Sequence, residues 1–487
     1  MNRRAMSPTR MASTARSSGT LGAFALATLL GALLTGCAGS SRAETNMFEA
    51  MTRTESSTYA GASGATTADG QATDDEPLPP GADLADYLAL ALGRNPGVEA
   101  AFNRWKAALY RVPQVRALPE PRVTYGYYLR EVETRTGPQQ QRVGLSQAFP
   151  WFGTLQGRAD VAMAEATAME RAFEATKLDL FLRVKKAYFE YGYLARAIAI
   201  THETIALVKE LEDVARTRYQ ANLASHPDVI RAQLELGKLE DRIRTLEDYE
   251  RPIRAQLNAA LDRAPDAPLP AAARLSETTA VFTESNATQW LLENNPELRA
   301  IDARINRERA AIELKKKGYF PSFALNAEYI DTDSAIMHNT PDSSRDPILV
   351  GVSLTLPLWF EKTDAAVAEA RSRLFAQQKE RTERKNRLRS DLELAFYQYR
   401  DAGRKIGLYR DTLIPKAEQS LGATQEAYIA ERVGFLDLID AERVLLEFRL
   451  AFDRALADRA IGLATIEKVI GREISPASEL TERKESP

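Results

Sequence analysis

Apolar residues along this chain follow two periods, and each period occurs twice. Val123, Tyr125, Tyr127 and Leu129 alternate with Thr124, Gly126 and Tyr128; Val143, Leu145, Gln147 and Phe149 alternate with Arg142, Gly144, Ser146 and Ala148. Farther along, Phe323, Leu325, Ala327 and Tyr329 alternate with Ser322, Ala324, Asn326 and Glu328. Val350, Val352, Leu354 and Leu356 alternate with Leu349, Gly351, Ser353 and Thr355. A period of two with one apolar face predicts four short strands, joined in pairs by the polar stretches 131–140 and 331–347. Between and around them the pattern is helical. Leading helices are expected over Leu84–Gln114 and Ala287–Lys317, each with an Asn-Pro pair marking an early break. Very long helices are expected over Leu155–Tyr219 and Asp364–Tyr428, followed by return helices over Asp228–Leu261 and Leu436–Ile470. Pro252 is expected to break the first return helix and Pro415 to kink or break the second long one. At 1.5 Å per residue such a long helix reaches roughly 100 Å.

The two sets are copies of one unit. Asn95-Pro96 recurs as Asn295-Pro296, and Pro121 with Val123 and Tyr125 as Pro321 with Phe323 and Leu325, both 200 positions later. Val143-Gly144-Leu145-Ser146 recurs as Val350-Gly351-Val352-Ser353 after 207, and Tyr219, Asp228, Val229 and Ile230 as Tyr428, Asp437, Leu438 and Ile439 after 209. Several matches in one order mean duplication. The chain therefore divides into a first repeat at 81–270, a second at 285–472 and a polar tail at 473–487.

Composition removes several classes of function. Sixty-four Lys and Arg against 67 Asp and Glu give a formal charge of −3, which is no footprint for nucleic acid. One cysteine excludes an internal disulfide framework, and His202, His226 and His338 have no ligand-like spacing, so no metal site or cofactor is expected. No nucleophile elbow, P-loop or HExxH pair is present, so the chain does not read as an enzyme. At the amino terminus Arg3, Arg4, Arg10 and Arg16 precede an apolar run, Leu21–Leu34, too short to span a bilayer as a helix. This predicts a signal peptide over 1–36. Leu34-Thr35-Gly36-Cys37 looks like a bacterial lipobox, which puts acyl chains on Cys37; a plain signal peptide with an incidental cysteine is the alternative. Met11 is a second candidate start. Residues 37–80, rich in Ser, Thr, Ala, Gly and Asp, read as a flexible tether.

Helical hairpins this long have too little apolar surface for a globular core, and periodicity alone leaves a rod or scaffold open. The strands point to a channel. Their length suits a tilted crossing of a bilayer, and backbone groups in lipid must all be paired. Four strands cannot close a barrel, so copies would have to share one. A small soluble sheet capping a coiled coil is the rival reading.

The order helix–strand–strand–long hairpin in each half, and the run Leu413-Ile414-Pro415 … Ala427-Tyr428 … Gly434-Phe435-Leu436-Asp437-Leu438-Ile439-Asp440-Ala441-Glu442-Arg443, resemble TolC-type outer-membrane efflux proteins over about Leu84–Gly471. The resemblance implies an α+β membrane protein: a homotrimer whose twelve strands form a barrel in the outer membrane of a Gram-negative bacterium, continued by a periplasmic α-helical barrel. It also implies a periplasmic adaptor (membrane-fusion) protein and an inner-membrane pump of the RND type as partners. Asp437 and Asp440, i and i+3 on one helix, match the family's aspartate ring at the periplasmic gate; Asp437 as a cap of the return helix is the alternative. Val433, Gly434 and Phe435 resemble the family's adaptor-docking turn, with Ala224, Ser225 and His226 as first-half equivalents. Asn222 and Glu431 stand where the family often has glycine. Tyr125, Tyr127, Tyr128, Trp151, Tyr329 and Trp359 suit a membrane-interface girdle. The run Phe149-Pro150-Trp151-Phe152-Gly153 resembles channels paired with heavy-metal pumps, although drug and protein export stay open. A periplasmic coiled-coil scaffold or adaptor is the alternative function.

Overall fold

The structure, a computed structural model, describes residues 41–59, 78–79, 81–221, 225–272, 274–277 and 280–474. The expected signal peptide, Cys37, Asn222, Ala224 and most of the polar tail lie outside the described residues. The chain divides into a small unit, residues 1–49, and a large one, residues 50–487.

Helix α1, Arg42–Tyr59, occupies part of the segment expected to be a flexible tether. The expectation fails there because low apolarity averaged over 37–80 hides a local helical spacing: Ala43, Met47 and Met51 stand four apart. Ser41 Oγ accepts from the Glu44 N–H at 3.2 Å, starting the helix. Within the large unit Met51 is buried and Glu55 accepts from Lys106 at 2.6 Å.

The first repeat runs α2 (Leu84–Arg94), α3 (Pro96–Arg116), β1 (Arg122–Val132), β2 (Gln139–Phe149), α4 (Thr154–Gln220) and α5 (His226–Ala260). The second runs α6 (Glu284–Asn294), α7 (Pro296–Lys316), β3 (Ser322–Thr332), β4 (Ile348–Thr355), α8 (Phe360–Leu408), a π segment (Tyr409–Leu413), α9 (Ile414–Ile429) and α10 (Phe435–Ile470). The Asn-Pro pairs do more than end one helix. Asn95 Oδ1 accepts from the N–H groups of Gly97 and Val98, while its amide donates to the Ala260 carbonyl at 3.1 Å. Asn295 repeats the set on Glu297, Leu298 and, at 2.8 Å, the Val469 carbonyl. One buried side chain thus caps the entering helix and ties it to the end of the return helix of the same half.

Two proline expectations come out differently. Helix α5 continues through Pro252, contrary to the predicted break. The bond lost to proline falls at Asp248, on an exposed stretch where water can take the freed carbonyl. At Pro415 the helix does change: the π segment immediately precedes it. Before that segment, matching buried positions of the copies lie 208 apart, as Leu180 and Leu388 or Val184 and Leu392; after it they lie 209 apart, as Val208 and Ala417 or Glu212 and Leu421. The π turn holds the extra residue.

The four strands make one antiparallel sheet in the order β1-β2-β3-β4. Its register aligns the apolar positions in rows: Val123–Leu145–Ala327–Val350 and Tyr125–Val143–Tyr329–Ile348. The other face carries Thr124, Arg142, Asn326, Glu328 and Ser353, with Asn326 donating to Ser353 at 2.7 Å and Arg142 3.5 Å from Glu328. The connections 133–138 and 333–347 bond to each other through Ser344 N–H to the Thr136 carbonyl and Asp333 N–H to the Pro138 carbonyl.

Candidate functional site: the hairpin tips and the exposed sheet face

The tip of the second hairpin is built on a capping interaction. Asp437 is the third residue of α10, and its Oδ2 accepts from the Gly434 N–H at 3.0 Å. Its role is therefore the reach-back half of a capping box, not the N-cap position itself. Asp228 does the same for Ser225 at 3.2 Å, and the Ser225 hydroxyl adds a bond of 2.7 Å. Asp440 is exposed and pairs with Arg443 at 3.0 Å. Arg443 also reaches Glu235 on α5 at 2.5 Å, linking the return helices of both halves; this arginine holds the Glu235 carboxyl below its ordinary range. Both aspartates thus lie in the first two turns beyond the tip, exposed on one helix, while Ala441 and Glu442 turn toward the packed interior.

Phe435 corrects the expectation of an exposed docking residue. It is 1% exposed, its ring 5.6 Å from that of Tyr428, so it pins the turn from within. Val433 is half-buried against the same core, and Gly434 is exposed. The apolar side chains that do face outward at this tip are Ile429 and Leu436, which the sequence reading passed over. A signal existed: Leu436 falls out of step with the buried Phe435–Leu438–Ile439 stripe. At the first tip His226 is exposed and packs edge-on against Tyr219, itself exposed.

Glu431, where the family often has glycine, has φ of +60°. The left-handed backbone is kept without glycine, and Arg218 of α4 holds the turn. Its guanidinium bonds the carbonyls of Tyr428 and Ile429 and the Glu431 carboxylate, and lies 5.0 Å from the Tyr428 ring centroid.

At the other end of the repeat, the apolar sheet face is open. Val123, Tyr125, Tyr127, Leu129, Val350, Val352 and Leu354 are all exposed, Leu129 at 94%. Trp151 stacks on Phe320 at 5.0 Å, and Trp359 and Phe152 are exposed beyond the strand ends. A continuous apolar face of this kind on one side of a sheet, with polar side chains on the other, is the pattern of a lipid-facing barrel wall. Among the described residues no helix is long and apolar enough to cross a membrane.

Exposed apolar strands beside paired giant hairpins define an outer-membrane channel architecture. The outer membrane efflux protein family model matches residues 87–263 and 287–472, and the chain belongs to that family. It is similar to the cobalt-zinc-cadmium resistance protein CzcC of Cupriavidus metallidurans, 20% identical over 80% of this chain and 90% of that one. It is 23% identical to the outer membrane protein TolC of Vibrio cholerae, over 80% of this chain and 90% of that one. Among solved structures it resembles the outer membrane protein VceC of Vibrio cholerae with a TM-score of 0.66 at 17% identity, covering 80% of this chain and 97% of that one. The shared fold is mostly helical with a small sheet, as in TolC-like channels.

Proposed function

We propose that this chain is one protomer of a lipid-anchored homotrimeric duct in a tripartite export system. The observation that carries the reading is the sheet: one exposed apolar face, and two outer strands, β1 and β4, whose far edges have no partner strand among the described residues. In lipid those edges need pairing, and copies of the same chain provide it. Three copies give a twelve-stranded barrel in the outer membrane, and their hairpins a periplasmic α-barrel. Cys37 carries the acyl anchor. The tips, with Val433, Gly434, Ser225, His226 and Ala224, face a periplasmic adaptor that couples the duct to an RND-type inner-membrane pump; Ile429 and Leu436 supply the apolar contact there. The cargo is small molecules or ions, and the Phe149–Gly153 run and the likeness to a cobalt-zinc-cadmium resistance protein favour metal cations.

Asp437 and Asp440 form the periplasmic gate. Three copies bring six carboxylates to one opening, which attracts cations and repels anions. Replacing both by Asn should lower cation selectivity and block by multivalent cations in planar bilayers. Unchanged selectivity accompanied by lower stability would reject the gate and leave Asp437 as the reach-back half of the capping box, worth about 0.3–1.5 kcal/mol. Release from membranes by a carbonate wash would instead favour a periplasmic scaffold.

A further inference from the structure

The strand ends that meet the helices carry charge that nothing in the chain answers. Lys315 and Lys316 end α7, and Lys317 follows them. The nearby acids are already engaged: Glu313 pairs with Lys316 at 2.7 Å, and the Asp364 carboxylate accepts from the Tyr319 hydroxyl. Lys315 and Lys317 have no ion-pair partner among the described residues. The Lys317 Nζ lies 3.7 Å from the point where a Cβ on Gly153 would stand. Glycine there, with φ of +74°, leaves room for the ammonium beside the turn that joins β2 to α4. The same turn carries an aromatic platform. Phe149 stacks on Phe323 across the β2–β3 pair at 5.3 Å, and Trp151 stacks on Phe320 at 5.0 Å. Phe152 lies against both Trp151 and Phe323. Phe149 and Phe323 belong to the apolar rows of the sheet, so the platform continues that face to its edge, where Phe152 and Phe320 stay exposed.

The two copies of the unit differ at this place, which separates it from a general aromatic girdle. Val115 and Ala117 stand where the second copy has Lys315 and Lys317, and Glu120 where it has Phe320. After β4, Phe360 stands where Gly153 follows β2. The lysine pair and the space for it therefore meet at the seam in the middle of the chain. We infer that this seam, where α7 and β3 meet β2 and α4, binds an anionic phospholipid of the periplasmic leaflet. Its phosphate lies on Lys315 and Lys317, and its glycerol and upper acyl chains lie against Trp151, Phe152 and Phe320. The inference rests on the barrel reading above, which puts these strand ends at the inner surface of the outer membrane. Exposed aromatic rings suit the headgroup level, and a lysine there extends its stem along apolar surface while its ammonium reaches phosphate. Charge selects the class of lipid. Two cations without a counter-charge favour a headgroup of net negative charge, as in phosphatidylglycerol, over a zwitterionic one whose own ammonium offsets the gain. A headgroup held here also fixes the depth of the sheet, because it cannot follow the apolar face into hydrocarbon.

Retained lipid reads this directly. The full-length protein is placed in nanodiscs of equal parts phosphatidylglycerol and phosphatidylcholine, extracted in mild detergent, and its bound lipid identified by native mass spectrometry. The parent should retain phosphatidylglycerol in excess. Lys315→Gln and Lys317→Gln should each lower the ratio about fivefold, the worth of one cation near an anionic surface. Lys317→Arg should preserve the ratio. Lys209→Gln, which removes an exposed lysine farther along α4, should leave it unchanged. Added salt should bring the parent toward the variant that lacks both lysines. Equal retention of the two lipids by the parent, or the same loss from Lys209→Gln as from Lys317→Gln, would overturn the site while leaving the barrel standing. Protein that does not enter the bilayer at all would overturn both.

Discussion

Glu442→Gln is the substitution whose effect the structure specifies most closely. Glu442 lies on α10, two residues beyond Asp440, and is 5% exposed among Leu438, Leu445 and Leu446. Its Oε2 has no hydrogen-bond partner, and Thr204 of α4 and Arg449 of α10 are the polar groups that favour its charge. Burial outweighs them and raises its pKa from an ordinary 4.5 to about 7. The folded protein therefore holds this proton where the unfolded chain has lost it. Stability from this group is at its full value below pH 4.5, falls as the pH rises toward 7, and is flat above that. A displacement of that size corresponds to about 3 kcal/mol at most, since partial hydration and relaxation reduce it. The duplicated position 209 residues earlier is Gln233, an exposed amide that donates to the buried Glu212 at 3.1 Å, so the two copies differ in burial at this position. Gln at 442 should leave stability unchanged at pH 4 and raise it progressively to pH 8. Thermal melts of both proteins in one detergent, followed by circular dichroism from pH 4 to 9, read the difference. A gap between the two melting curves that does not vary with pH, or a variant less stable at pH 8, would refute the reasoning.

Two further outcomes follow from single residues. Gly471 ends α10 with φ of +79°, and a Cβ there would lie 2.7 Å from the Asn294 carbonyl oxygen; Gly471→Ala should destabilise by more than about 1 kcal/mol, seen as a lowered melting midpoint, and an unaffected midpoint would contradict the close approach. Cys37→Ser should abolish acyl labelling while the protein still sediments with membranes, because strands hold in lipid without a tether; label persisting on the variant would remove the anchor reading.

The fold was legible where a residue's role depends on its near neighbours in sequence. Alternation fixed the strands because each has one apolar face, and repetition at 200 to 209 positions fixed the two halves. What escaped depends on neighbours far along the chain or on local detail. Asn95 and Asn295 read as helix breaks, but their amides reach Ala260 and Val469, 165 and 174 positions away. Phe435 read as exposed because it stands at a turn, and only the approach of Tyr428 buries it. Glu442 did leave a mark: a carboxylate inside a stripe of leucines, matched by glutamine in the other copy, is a polar group in an apolar setting. The proposal of Asp437 and Asp440 as a gate comes from the family's pattern; spacing alone offers a helix cap at Asp437.

The divergence between copies carries its own information. Over Val161–Leu178, α4 has six Ala and two Met beside five charged residues, Glu165, Glu170, Arg171, Glu174 and Lys177. Over Glu369–Asn386, α8 has Arg371, Arg373, Lys379, Arg381, Arg384 and Lys385 among Gln and Glu. Both descend from one unit and have the same buried stripe on their own half, so the difference resides in the remaining surface. Small residues on α4 let the second half approach closely, as close helix packing requires. Charged residues occupy much of the exposed surface of α8, and Ala376 and Phe375 are exposed among them. The first copy of the unit thus makes its contact with the other half within the chain, and in the proposed assembly the second copy has the surface left for a neighbouring chain.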